Sequence, residues 1–425
     1  MRSLLYVNKN FTLKANGYIP LFSSGEGLYT FNLNIGNPSQ QFNLLLDTGS
    51  ALLWINNKTC IGCLSGNKFN PLQSQTFKPS QELININYLS GEISGIICQE
   101  TIKFFLESFI IPYFNFILVN QSNIDFNLDG IFGLSKGVRN IHNLKYSALN
   151  QIYENEILEE NIFFFDFSRN IFYMGEMPLY INKYNNFTCK SINGYKFNNY
   201  YWHCNYDKIK FNKNQLLSNE NEDNYIIFDS GTNCLIFPYK YISLFYKIIS
   251  ENRLLSKSKC LVKINDTDNN LYTLICEDFN DLINQKNDEY KNFYLKEEFI
   301  TFYLHFERKI YLTLNDIYDK EHSYFKIYFT VTPNNAIILG VPFFEKYPIL
   351  FNKDNGNIVI YDEIKRKENS SILMTLFATI FILIIIILVF LLIYNIIMRK
   401  KKKITSTQIE KQFSNYGLFD QEVKI

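Results

Sequence analysis

The sequence predicts a mainly β protein built as two related lobes and followed by a single membrane-crossing helix. Three observations carry that reading: short apolar or alternating runs punctuated by Asn, Gly, Ser and Pro, a strand-and-turn unit that occurs twice, and a long uncharged stretch near the carboxyl end. At 425 residues the chain is long enough for two lobes, each with its own core. Hydrophobic residues make up 47% and charged residues 20%, and the formal net charge is +1, so there is no basic field and no nucleic-acid partner is expected.

Taken from the amino end, residues 1–26 read as a short leading segment. MRSLLYVNKNF offers only Leu4 to Val7 as an apolar core, short of the roughly 7–15 residues of a secretion signal, so the natural start is expected to lie upstream. Lobes are expected over 27–180 and 181–362. Within them YTFNLNI, FNLLL, LININY, TIKFFL, NFILVN, IFFFDF, YIIFD, IILGV and NIVIY have strand length and strand composition. Helices are expected at Leu144–Ile157 and Tyr239–Ile249, and Leu216–Asn224 reads as a polar surface loop.

The eight cysteines are Cys60, Cys63, Cys98, Cys189, Cys204, Cys234, Cys260 and Cys276, an even number that suggests disulfides of undetermined connectivity. Zinc at Cys60-x-x-Cys63 would need a second close Cys or His pair, and none stands out. Neither metal nor cofactor is expected. Four Asn-x-Thr triplets, at Asn10, Asn57, Asn186 and Asn265, are potential glycan acceptors.

Residues 363–371 form a short linker to the span at 372–398, ILMTLFATIFILIIIILVFLLIYNIIM, which carries no charge and exceeds the roughly 20 residues a bilayer requires. Arg399–Lys403, reading RKKKK, follow at once and place the tail 399–425 in the cytosol by the positive-inside rule. The lobes then lie in the lumen or outside the cell, in a single-pass type I arrangement. Residues 404–425 are polar and expected to be disordered.

The repeat carries the chemistry. NLLLDTGSALLWI (Asn43–Ile55) and YIIFDSGTNCLIF (Tyr225–Phe237) share one plan, an apolar strand, then Asp, a small hydroxyl residue, Gly and another hydroxyl residue, then a second apolar stretch. Asp47 and Asp229 stand 182 positions apart (229 − 47), and each unit is followed by an apolar-apolar-Gly triplet, Ile131-Phe132-Gly133 or Ile338-Leu339-Gly340. One Asp-Thr-Gly alone would be an ordinary turn, its glycine serving a positive φ. Two of them supply a carboxylate pair. Hydrolysis of an amide needs one group to take a proton from water and another to donate to the carbonyl oxygen. Carboxyls about 3 Å apart, sharing one proton, do both. Ser50 and Thr232 can hydrogen-bond the outer carboxylate oxygens, while Thr48 and Ser230, beside Gly49 and Gly231, can tie the turns together.

On these turns the stretch Gly27–Asp362 resembles the pepsin-like aspartic proteases. INYLSGEISGIICQET, with Tyr88 41 residues after Asp47 (88 − 47), resembles the family's flap hairpin, and Trp54 falls where the family places the flap tyrosine's partner. ILGVPFFEKYPILFNKDNGNIVIY resembles the last strands. The resemblance implies a bilobal fold with an active-site cleft between the lobes and a monomeric aspartic endopeptidase acting on proteins or peptides. It implies catalysis by Asp47 and Asp229, and a pocket of Leu45, Tyr88 and Ile131 that accepts Leu or Phe before the scissile bond. Glu92 in the flap is expected to favour a basic side chain further along the cleft. Leu89 and Ser90 depart from the usual flap residues, and Cys98 is expected to stiffen the flap through a disulfide. The anchor invites comparison with membrane-tethered, plasmepsin-like processing enzymes of the secretory pathway in apicomplexan parasites. A peptide-binding relative without hydrolysis, or an adhesion protein, would not need both Asp turns intact.

Overall fold

The structure, a computed structural model, describes residues 17–24, 27–88, 90–104, 109–125, 127–138, 141–155, 158–190, 200–212, 215–217, 224–252, 254–264, 271–284, 295–304, 308–363 and 370–415. Asn10, Asn265, Leu89 and most of the expected 216–224 loop fall outside them. The chain divides into two compact units, 1–363 and 364–425.

Among the described residues of the first unit, strands form three sheets. The first runs, neighbour to neighbour, through Phe22–Ser23, Tyr29–Ile35, Gln40–Asp47, Gly130–Gly133, Leu53–Ile61, Ile110–Ser122, Gly91–Lys103 and Lys78–Tyr88. A second, in the other half, has Leu235–Pro238, Ile337–Leu339, Tyr225–Phe228 and His203–Phe211 at its centre. Both repeat the same local order. Asp47 ends a strand that runs parallel to Gly130–Gly133, and Asp229 follows a strand that runs parallel to Ile337–Leu339. These central strands are buried on both faces, which is why they read as continuous apolar runs.

A third sheet joins the halves in the order Tyr18–Pro20, Ile171–Met174, Ile162–Asp166, Ile349–Asn352, Asn357–Glu363, Tyr184–Lys190. Here IFFFD of the first half pairs antiparallel with ILFN of the second. Its aromatic face packs tightly: Phe163 stacks on Phe351 with centroids 4.9 Å apart, and Trp202, fully buried, lies edge-on to Phe163 at 5.7 Å.

The expected helices form as Ala148–Glu154 and Ile242–Glu251, the latter preceded by a single 3-10 turn at Tyr239–Tyr241. Disulfides join Cys60 to Cys63, Cys189 to Cys204 and Cys260 to Cys276. Cys98 corrects the expectation of a flap disulfide. It is a buried free thiol whose cross-strand neighbours are Pro79 and Phe116, so no second cysteine is within reach. Burial pushes its pKa up to about 12, leaving it an unreactive apolar filler.

In the second unit one helix, Ser370–Asn415, runs for 46 residues, and its segment Phe381–Ile409 is long and apolar enough to cross a membrane. The helix does not stop at the charged run. It continues to Asn415, where a disordered tail was expected, because extending an existing helix avoids the nucleation cost that a separate polar segment would face.

Candidate active site

Each half delivers its carboxyl by the same means. The Leu134 N–H donates to the Asp47 carbonyl (2.7 Å), and the Asp229 N–H donates to the Leu339 carbonyl (3.0 Å), so each turn is held by the strand that ends in the triplet. The glycine closing the first triplet has a plain use: a Cβ on Gly133 would fall 2.5 Å from the backbone of Ala51 and Leu52.

Four buried hydrogen bonds then lock the two turns together. Thr48 N–H donates to Ser230 Oγ (3.0 Å), and Ser230 N–H donates to Thr48 Oγ1 (2.9 Å). The hydroxyls pass their own protons on, Thr48 Oγ1 to the Phe228 carbonyl (2.9 Å) and Ser230 Oγ to the Leu46 carbonyl (2.8 Å). A small hydroxyl residue is required at both positions, because only such a side chain accepts from the opposite amide while donating to the carbonyl two residues before that amide. The acceptor carbonyls of Leu46 and Phe228 were invisible in the sequence, since any residue supplies one.

Asp47 and Asp229 meet in the space above this lock, with their carboxyls hydrogen-bonded to each other. Gly49 N–H donates to Asp47 Oδ1 (2.8 Å), Gly231 N–H to Asp229 Oδ1 (2.9 Å), and Thr232 Oγ1 to Asp229 Oδ2 (3.1 Å). Ser50 is not the equal of Thr232. Its Oγ is buried and makes no hydrogen bond of good geometry, yet it lies close enough to Asp47 to favour the ionised form.

The glycines of the two turns serve a purpose other than the one the sequence suggested. Neither Gly49 nor Gly231 has a positive φ. A Cβ on Gly49 would fall 2.5 Å from an Asp229 carboxylate oxygen, and one on Gly231 would strike the Asp47 carboxyl. Each glycine is the floor on which the opposite carboxyl rests.

Burial raises the pKa of both acids. For Asp47 the Ser50 hydroxyl and the Gly49 amide oppose that effect, whereas for Asp229 the neighbouring Asp47 charge reinforces it, and Asp229 ends well above the usual carboxylate range. Such a pair holds one proton between its two carboxyls.

The hairpin of Lys78–Tyr88 and Gly91–Lys103 ends beside this pair, with Tyr88 opposite Gly91 at its tip. Trp54 Nε1–H donates to the Tyr88 hydroxyl (3.0 Å). Burial, and after it the Asp47 charge, raises the Tyr88 pKa, so the phenol stays neutral. Leu45 sits two residues before Asp47 on the same strand face and pairs with Ile131, which in turn pairs with Trp54. The structure therefore brings Leu45, Ile131, Trp54, Tyr88 and Asp47 together, while Glu92 stands exposed on the flap. Sequence reasoning missed Trp202. Its Nε1–H donates to the Leu134 carbonyl (2.8 Å), tying the second half to the residue that braces Asp47, and its rarity was the available signal, since the chain has two tryptophans.

The family model described as eukaryotic aspartyl protease matches residues 28–361, a stretch that contains both Asp turns and the flap. The chain is similar to vacuolar protease A of Aspergillus fumigatus, 27% identical over 244 residues, which cover 53% of this chain and 57% of that protein. It is similar to the embryonic pepsinogen of Gallus gallus, 26% identical over 245 residues, covering 55% and 61% respectively. With aspartic protease 6 of Caenorhabditis elegans it shares 36% identity over 118 residues, 26% of this chain and 30% of that one. The chain thus spans about half the length of the curated relatives it matches. The chain belongs to the eukaryotic aspartyl protease family.

Proposed function

We propose that this protein is an aspartic endopeptidase in which Asp47 and Asp229 together activate a water molecule against the scissile carbonyl. The observation that carries the reading is the carboxyl pair, delivered by two like turns and fixed by the Thr48–Ser230 lock. With one proton on the pair, the ionised carboxyl takes a proton from the attacking water, and the protonated one donates to the carbonyl oxygen as it gains charge. Burial raises the pKa of both carboxyls, and rising pH removes the acid as the pair loses its shared proton. Tyr88 is read as the flap residue that closes over a bound peptide, and Leu45, Ile131 and Tyr88 as an apolar pocket for Leu or Phe before the cut. Asp47→Asn and Asp229→Asn, each alone, are expected to lower kcat by at least about 1,000-fold without unfolding the chain. Cleavage of a fluorogenic peptide is the assay, and turnover within tenfold of wild type by either variant contradicts the proposal.

The apolar helix and the disulfides support a place in the secretory pathway or a membrane, and we read the chain as single-pass type I. Its lobes would then act on lumenal or extracellular proteins. In sealed microsomes added protease should clip the tail after Arg399 and spare the lobes; digestion of the lobes overturns the orientation.

A further inference from the structure

We propose that the Arg399–Lys403 ring at the end of the apolar helix is a binding site for anionic phospholipid headgroups. The inference rests on reading that helix as a membrane span, and its subject is the tail, which the protease chemistry does not involve. Three observations lead to it. The five cations are consecutive and exposed. At about 100° per residue, five consecutive helical positions pass once round the axis, so the charges form a collar facing lipid on every side. The helix continues unbroken from Met398 through the charged run to Asn415, so the collar cannot fold back from the span.

Height decides what such a collar touches. Five residues occupy about 7 Å of helix, directly beyond the last apolar turn, which is the depth of the headgroup layer. Charge contrast sharpens the case. No Asp or Glu occurs between Ser370 and Ile409, and the first acid after the ring is Glu410. On the other side of the span Asp362–Asn369 holds three acidic and three basic residues and is neutral overall. Orienting a span needs a charge difference only. Concentrating all of it in one turn and a half of rigid helix creates a local field that recruits lipid phosphates and falls off within a Debye length.

The test uses the full chain in phosphatidylcholine vesicles containing trace labelled phosphatidylserine or trace labelled phosphatidylcholine, and reads enrichment of each label next to the protein. The expected result is an enrichment of phosphatidylserine over phosphatidylcholine of about threefold or more at 0.1 M salt, lost at 1 M salt. Replacing all five residues (R399Q, K400Q, K401Q, K402Q, K403Q) should bring the ratio to about one, and an all-arginine ring should preserve it. Equal enrichment by the wild type, or a preference kept by the glutamine variant, overturns the proposal. Release of the wild-type chain by alkaline carbonate overturns the span and the lipid site together, whereas equal enrichment with the chain retained overturns the lipid site alone.

Discussion

Burying two carboxyls against one another opposes folding whenever both are ionised, because burial and the neighbouring charge both disfavour the second negative charge. Asp47 and Asp229 have folded pKa values above the ordinary 3.8. Groups raised in this way contribute stability that is complete below the unfolded pKa and lost as pH rises through the folded one. Asp229→Asn keeps an acceptor for the Gly231 amide and removes the ionisation. It should therefore melt about 2 °C above wild type at pH 7, with the difference shrinking toward pH 4. Calorimetry at both values checks this, and a gap independent of pH contradicts it. At this scale the two Asp turns were legible because they recur with the same hydroxyl neighbours. The reason for their glycines was not legible, since the atom that excludes a Cβ belongs to the opposite half, 182 residues away, and spacing along one chain does not reveal which turn will sit opposite.

Strands and hairpins were read well where alternation is strong, as in YTFNLNI, which forms the strand Tyr29–Ile35 without change of bounds. The flap hairpin was expected from the resemblance of INYLSGEISGIICQET, and the structure adds the contact that holds its tip, Trp54 to Tyr88. Trp54→Phe removes that donor while keeping the buried ring. The expected effect is a rise in KM of about 3- to 10-fold with kcat changed less than about twofold, the size of one lost hydrogen bond felt mainly in ground-state binding. Steady-state kinetics on a peptide substrate decides it, and an unchanged KM means the flap is positioned without Trp54. The helix Ser370–Asn415 was half legible. Its apolar part announces itself, but polar composition alone does not reveal that residues beyond Lys403 inherit helical structure from the span before them. Cys98 was misread because an even cysteine count says nothing about which thiols face each other.

For the whole molecule, the joining sheet sets what can be removed. Ile349–Asn352 pairs with Ile162–Asp166 across the halves, and Asn357–Glu363 holds Ile349–Asn352 on one side and Tyr184–Lys190 on the other, so this last strand braces the seam from the second half. A chain ending after Glu363 should be monomeric in size-exclusion chromatography and retain kcat within about twofold, since it keeps both sides of that strand. One ending after Gly356 should aggregate without activity. Comparable behaviour of the two truncations would show that this strand is dispensable. Two like strand-and-turn units were legible from the repeat, but the sheet that joins the two halves was not, because its pairing strands come from distant parts of the chain and share no motif. The four-bond lock between Thr48 and Ser230 also has a consequence in time. Asp47 is made 292 residues (339 − 47) before Leu339, whose carbonyl holds the turn of its partner Asp229. Under the proposed function, a growing polypeptide carries one half of its chemistry and cannot cut until Leu339 has been made, so the arrangement of the fold itself delays activity.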